Sequence, residues 1–425
     1  MLIEVEYSQI SDASLGCVSG NRWTLGKTGV KEKMGRIDEF PRLADQSKLP
    51  HVGTTIFTQM SALATQEQAL NLSQGFPDFD APKPLLDGVQ QYLNSGFNQY
   101  APMQGVASLR EAVAAKVKNL YGADLNADTE ITITSGATEA LFCAISAVVR
   151  PGDEVILFDP AYDSYEPVVE LCGGTAVHIP LLAPDFSVDW DRVADALSDK
   201  TRLIITNTPH NPTGALWGEQ DIAALGSLIS DKPVYLVADE VYEHICFDGV
   251  PHQSLCRYPD LFERSFVVSS FGKTYHVTGW KIGYCLAPQS LTAEFRKIHQ
   301  FNTFTSNTPI QYALADFMRS HPEHHEELAD FYQAKRDYLC DLLAETRFAV
   351  SPAQGTYFQL IDYSAVSEET DVDLAMRFTK ELKLASIPVS VFYDEPGPHS
   401  RRYLRLCFAK DNDTLAAAAS ILRRL

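Results

Sequence analysis

Apolar positions recur at helical spacing over Ser108–Tyr121, at Leu109, Val113, Val117 and Leu120. Ile131-Thr-Ile-Thr134 then alternates as a strand does, Gly136 breaks the pattern, and a second helical run fills Thr138–Val149. Short apolar stretches follow at Glu154–Phe158, Arg202–Thr206, Val234–Ala238 and Ser265–Ser269, with helical segments such as Glu219–Ser230 separating several of them. Short continuous apolar strands alternating with helices predict an α/β fold: a three-layer sandwich whose central sheet is mainly parallel and covered on both faces.

The last hundred residues change character. A long charged helix is expected over 323–345, then a strand at Thr356–Ile361, a helix near 371–383, a strand at Tyr403–Phe408 and a closing helix from Thr414. That order predicts a smaller α+β domain. The expected division is an arm at 1–45, the N-terminal part of the small domain at 46–84, a large domain at 85–318 and the small C-terminal domain at 319–425. The arm is polar and weakly periodic; Met34 is a candidate natural start, and a real N-terminal arm is the alternative.

Length supports two domains: 425 residues exceed what one simple core usually organises. Apolar residues make up 45% and charged residues 21%, as in ordinary globular proteins. The net charge of -20 repels phosphate backbones and anionic membranes, so neither nucleic acid nor a membrane is an expected partner. The first twelve residues show no basic-then-apolar signal pattern, and the longest near-apolar run, Ala140–Val149, is about half a membrane span. Eight scattered cysteines form no C-x-x-C pair, which argues against a metal site or disulfide framework and for a reducing, cytoplasmic setting.

In a doubly wound sheet, ligands sit beyond the carboxyl ends of the strands. Three such ends carry chemistry here. One runs into Asn207-Thr-Pro-His-Asn-Pro-Thr-Gly214, one into Asp239-Glu-Val-Tyr242, and one into Ser270-Phe-Gly-Lys-Thr-Tyr275. They offer an amide, a carboxylate with a phenol, and an amine, which suits a charged aromatic ring bearing an aldehyde.

These motifs, with Gly279-Trp-Lys-Ile-Gly283, resemble those of class I aminotransferases of the pyridoxal-5′-phosphate (PLP) fold type I. The resemblance covers about 46–425. It is closest to the methionine and kynurenine/glutamine branch, bacterial methionine aminotransferases in particular. The segments that carry this are Gly53–Ala64, Leu72-Ser-Gln-Gly-Phe-Pro-Asp-Phe-Asp80 and Ser269–His276.

The resemblance implies roles for individual residues. Lys273 matches the lysine that forms an imine with the cofactor aldehyde and later shuttles the Cα proton. Asp239 matches the carboxylate under the ring nitrogen, and Asn211 and Tyr242 match the groups on the phenolic oxygen. Gly136, Ala137 and Thr138 open a helix directly after a strand, and with Ser270 and Lys281 they match the phosphate site. Many family members carry arginine where Lys281 stands; lysine is a less directional point charge. Tyr162 matches the aromatic stacked on the ring. Tyr100 matches a tyrosine that crosses a dimer interface to the partner's phosphate. Arg405, with Gly75 and Asn211, matches the clamp on the substrate α-carboxylate. Phe57, Phe76 and Phe304 are candidates for an apolar side-chain pocket. His210, His244 and His276 receive no role.

The implied reaction is ping-pong transamination between an apolar or aromatic L-amino acid (methionine, glutamine, phenylalanine/tyrosine or kynurenine) and a 2-oxo acid, in a homodimer with shared active sites. A cysteine-conjugate β-lyase would use the same residues. A phosphate-loop nucleotidase fails, because Val267 stands where that motif needs glycine before Gly272-Lys273-Thr274. A catalytically silent binding protein fits poorly with the intact lysine, aspartate and arginine.

Overall fold

The alternating pattern resolves into sheets of seven, three and two strands in a computed structural model that describes residues 47–397 and 400–425. The expected arm at 1–45 and the Met34 start lie outside the described residues. Lys48–Leu425 form one compact unit.

Twelve strands are numbered in chain order: β1 Leu70–Asn71, β2 Ile131–Thr134, β3 Glu154–Asp159, β4 Thr175–Pro180, β5 Thr201–Asn207, β6 Tyr235–Asp239, β7 Ser265–Ser270, β8 Gly283–Leu286, β9 Phe358–Asp362, β10 Leu384–Ala385, β11 Ile387–Pro388 and β12 Tyr403–Cys407. The large sheet runs β2-β8-β7-β6-β5-β3-β4. β4, β3, β5, β6 and β7 pair in parallel, while β8 is antiparallel to both its neighbours. The sheet is thus mixed but mainly parallel, as the sequence predicts. β4 and β8 went unread in the sequence. β4 is an edge strand only partly covered, so its Thr, His and Pro give no apolar run. β8 is four residues long and follows a tight turn.

That antiparallel strand brings two distant loops together. Gly283, at its start, pairs with Thr134 on one side and Ser270 on the other. A Cβ at Gly283 would lie 2.6 Å from Ser269 O and 2.9 Å from the Ala137 nitrogen, so only glycine fits. The helix start after β2 and the lysine turn after β7 are therefore held side by side.

Apolar clusters cover both faces of the large sheet. The helix Ala137–Val148 is buried along most of its length, which explains its nearly all-apolar sequence. A further cluster lies under the three-stranded sheet β11-β12-β9 and includes Ile361, Leu404, Leu406 and Leu415. The long helix expected over 323–345 is broken into Glu323–Glu326 and Leu328–Leu343. No helix among the described residues is long and apolar enough to cross a membrane.

Candidate active site

The carboxyl ends of β5, β6 and β7 open onto one cavity of about 260 Å³. Its walls include Asn207 and Asn211 from the loop after β5, Asp239 and Tyr242 from β6 and its turn, and Ser270 and Lys273 from β7. Gly136, Ala137 and Thr138 close one end, with Lys281 beside them, and Gly75, Phe76 and Tyr162 line the rest.

Asp239 is 4% exposed and carries no cation in hydrogen-bond contact among the described residues. Its Oδ2 accepts from the Tyr165 hydroxyl at 2.7 Å and its Oδ1 from the Val241 amide at 3.3 Å. Burial is the main cause that lifts this carboxyl to about 6, against the opposing effect of those donors and of Lys273. Asn207 braces the same turn: Nδ2 donates to Asp239 O at 2.9 Å, and Oδ1 accepts the Asn211 amide at 2.9 Å.

The Lys273 ammonium lies 5.6 Å from the Tyr242 ring centre and 5.5 Å from that of Tyr357. Among the described residues its Nζ hydrogen-bonds only to Gly75 O, at a long 3.4 Å. Burial pulls this amine down to about 8. A substantial minority of it is therefore unprotonated, and nucleophilic, near neutral pH.

Gly136 has φ +81° and ψ 169°, a conformation open essentially only to glycine, and no side chain caps the helix that follows. The first amides of Ala137–Val148 thus face the cavity beside the Ser270 hydroxyl and the Lys281 amine, a ready anion cradle. Lys281 itself has φ +50°, which turns the chain back against Gly136.

Arg405, on β12, is 1% exposed. Nη1 donates to Asn211 Oδ1 at 2.8 Å and Nη2 to Ser73 O at 2.9 Å, while Nε has no partner. The guanidinium stacks 3.9 Å above the Phe358 ring and 5.2 Å from that of Phe57. Among the described residues the Asp163 carboxylate acts on it electrostatically, and burial lowers its affinity for its proton. An uncompensated buried guanidinium is a site for an anion.

Besides Arg405, three sequence candidates stand outside the cavity: Phe57, which packs against the Arg405 guanidinium, and the pair Tyr100 and Phe304. Tyr100 is 85% exposed and packs edge-on against Phe304, itself 42% exposed, with ring centres 5.6 Å apart. Neither lines the cavity of its own chain. Conversely, the structure adds Tyr165, Asn207, Gln74 and Tyr357, whose hydroxyl donates to Gly75 O at 2.5 Å. Asn207 stands inside a strand-end motif visible in the sequence and Tyr165 lies three residues after Tyr162, but nothing local distinguishes either from its neighbours. Tyr357 carries no sequence signal. Among the histidines, His210 is buried against Thr213 and His244 lies within the Lys116–Glu243 network.

The set fits one molecule carrying an aldehyde, a protonatable ring nitrogen and a phosphate: an activated amine, a buried carboxylate and an uncapped helix end face the same space.

Residues 67–422 match the family model for aminotransferase class I and II. The chain is 55% identical to the methionine aminotransferase of Escherichia coli K12, over 90% of this chain and 99% of that one. It is 31% identical to human kynurenine–oxoglutarate transaminase 3, over 90% of each. A crystal structure from E. coli reported to have a methionine aminotransferase function superposes with a TM-score of 0.87 at 54% identity, covering 91% of this chain and all of that one. N-succinyldiaminopimelate aminotransferase from Mycobacterium tuberculosis superposes with a TM-score of 0.86 at 37% identity, covering 89% of this chain and 99% of that one.

Proposed function

The chain belongs to the class I and II aminotransferases and is a PLP-dependent transaminase, and on that premise we propose that it takes the amino group from methionine and other apolar or aromatic L-amino acids and passes it to a 2-oxo acid in a ping-pong cycle. The observation that carries the reading is that Asn211, Lys273 and Asp239 line one cavity, while the buried Arg405 stands directly behind Asn211, donating to its Oδ1 at 2.8 Å. An amino acid gripped there by its carboxylate presents its amine and Cα to the lysine side of the site.

PLP, when bound, supplies an electrophilic aldehyde and a cationic ring that accepts the electron pair released at Cα. Lys273 would be the group that moves the proton at Cα; burial already pulls its free amine down to about 8. Asp239, held by Tyr165 and Val241, keeps the proton on the ring nitrogen. Tyr242 and Asn211 would hold the phenolic oxygen, and Tyr162 would pack against the ring. The amides of Gly136–Thr138, Ser270 and Lys281 hold the phosphate. Arg405, Asn211 and the Gly75 backbone orient the substrate α-carboxylate.

Side-chain preference follows from the walls. Phe76, Leu141, Val241 and Ile282 line the cavity, and no arginine does among the described residues of this chain. An uncharged side chain fits better than a second carboxylate. The exposed aromatics Tyr100, Phe301 and Phe304 support a homodimer in which Tyr100 reaches the partner's phosphate site. The free thiols of the described cysteines support a reducing, cytoplasmic setting.

A half-reaction screen tests the reading. The PLP-loaded enzyme is mixed with each amino acid and loss of the visible cofactor band is followed. Methionine and aromatic amino acids should bleach the band, and aspartate should do so poorly. Bleaching by aspartate alone would overturn the substrate assignment.

A further inference from the structure

The loop 98–106 carries Tyr100, and its carbonyls are bonded one after another. Gln99 O accepts from Thr308 Oγ1 at 2.6 Å, Pro102 O from Thr305 Oγ1 at 3.1 Å and Gln104 O from the Ile133 amide at 3.1 Å. Met103 O is bonded by His299 Nε2 at 2.9 Å. His299 lies on the helix Gln289–Asn302 and is fully buried. Its other ring nitrogen, Nδ1, lies 2.8 Å from Glu139 Oε1. Glu139 stands in the first turn of the helix Ala137–Val148, and its Oε2 accepts the Ser135 amide at 3.1 Å. One imidazole therefore bridges the Tyr100 loop and the turn that forms the anion cradle.

The protons follow from the partners. Met103 O is an acceptor only, so Nε2 carries a proton. Glu139 also accepts from the Ser135 amide and from Cys143 Sγ at 3.0 Å, so its carboxyl ties His299 to the turn before the helix. Glu139, Cys143 and His299 are of metal-ligating types, but each is committed to hydrogen bonds in the core.

We propose that His299 is a positioning residue that couples the phosphate-binding turn of its own subunit to the Tyr100 loop that completes the partner's site. The coupling rests on the shared-site dimer proposed above. It runs through contiguous contacts: Ser135, Glu139, His299, Met103, and three residues along the loop to Tyr100. A second strut keeps the fold when His299 is replaced. Ser135 Oγ meets Ser306 Oγ at 3.1 Å, and Gln311 joins Ser306 O at 2.9 Å to the Val106 amide at 2.8 Å.

Hybrid dimers separate the two directions. One subunit carries Lys273→Ala, which leaves a single live site on its partner. His299→Leu is placed either on the live subunit or on the silent one, and PLP affinity at the live site is read from the Lys273-dependent visible band. In both placements affinity should fall by about tenfold, the effect of losing one buried hydrogen bond. Glu139→Gln keeps the volume and leaves the Met103 contact in place; it should act chiefly from the live subunit. His299→Asn, too short to span both partners, replaces His299→Leu if that variant does not fold. A His299 effect confined to the live subunit would overturn the coupling and leave a local structural role. Tyr100→Phe on the silent subunit checks the dimer reading separately. If it leaves the live site untouched, the shared site itself has failed, whatever His299 does.

Discussion

Arg405 Nη1 donates to Asn211 Oδ1 at 2.8 Å, so a fully buried cation is answered by an amide oxygen and not by a carboxylate. Its second contact is the Ser73 carbonyl, and its Nε is left without a partner. A buried charge in that state is costly, and a carboxylate placed on it recovers the cost.

Arg405→Lys follows directly. Lysine keeps a charge but loses the planar fork and the stack on Phe358. KM for the amino acid should rise by about 10–100-fold, with a smaller loss in kcat, as expected for a charge-assisted pair worth about 1.5–3 kcal/mol. Steady-state kinetics checks this, and the visible cofactor band should be unaltered.

Lys273 controls how fast the apoprotein takes up PLP. Only the neutral amine attacks an aldehyde, and burial lowers this amine to about 8. The uptake rate should climb with pH through about 8 and level off above it, well before the 10.5 of an ordinary lysine. Stopped-flow absorbance reads the profile; a rate still climbing steeply beyond that plateau contradicts the buried-amine reading.

Asp239 weakens the folded apoprotein at neutral pH, because burial raises its carboxyl. Its folded carboxyl is raised from 3.8 to about 6, so the folded chain holds the proton more tightly than the unfolded one. This contribution is present below the unfolded value and lost as pH rises through about 6. At neutral pH the ionised form costs on the order of 3 kcal/mol. Asp239→Asn should therefore stabilise the apoprotein to urea at about pH 7.5, with the gain shrinking towards about pH 4.5. Activity should fall by orders of magnitude, because an amide cannot keep the ring nitrogen protonated.

Gly136→Ala tests the cradle. The backbone there has φ +81°, and an added Cβ would meet Lys281 at 3.5 Å. Strain of about 1–3 kcal/mol should lower Tm and weaken PLP binding by about tenfold or more. Thermal melts and PLP titration measure the two effects.

Much of the site was legible because its residues cluster at strand ends. The apolar runs before Asn207, Asp239 and Ser270 mark three strands, and in a parallel sheet their ends meet by construction. Lys273 and Asp239 are 34 residues apart in the chain but two adjacent strand ends apart in space. Tyr165 and Asn207 were not distinguishable, because a phenol or an amide beside a motif looks like any other until its partner is known. Tyr357 was hidden entirely, since it reaches Gly75 O and the Lys273 amine from the segment just before β9, far away in the chain.

The sequence alone determined the mainly parallel sheet and placed Lys273 and Asp239 at strand ends, while the roles of Lys273, Asp239 and Arg405 came from the resemblance to a family. Periodicity reports burial, and chemical type reports reactivity, and both are local properties. Only the tertiary structure decided the antiparallel strand that sets Gly136 beside Lys281, and the outward placement of Tyr100 and Phe304. It alone also decided the bridge from Met103 through His299 to Glu139. Those depend on register and on contacts between segments more than 100 residues apart, and no local pattern encodes them.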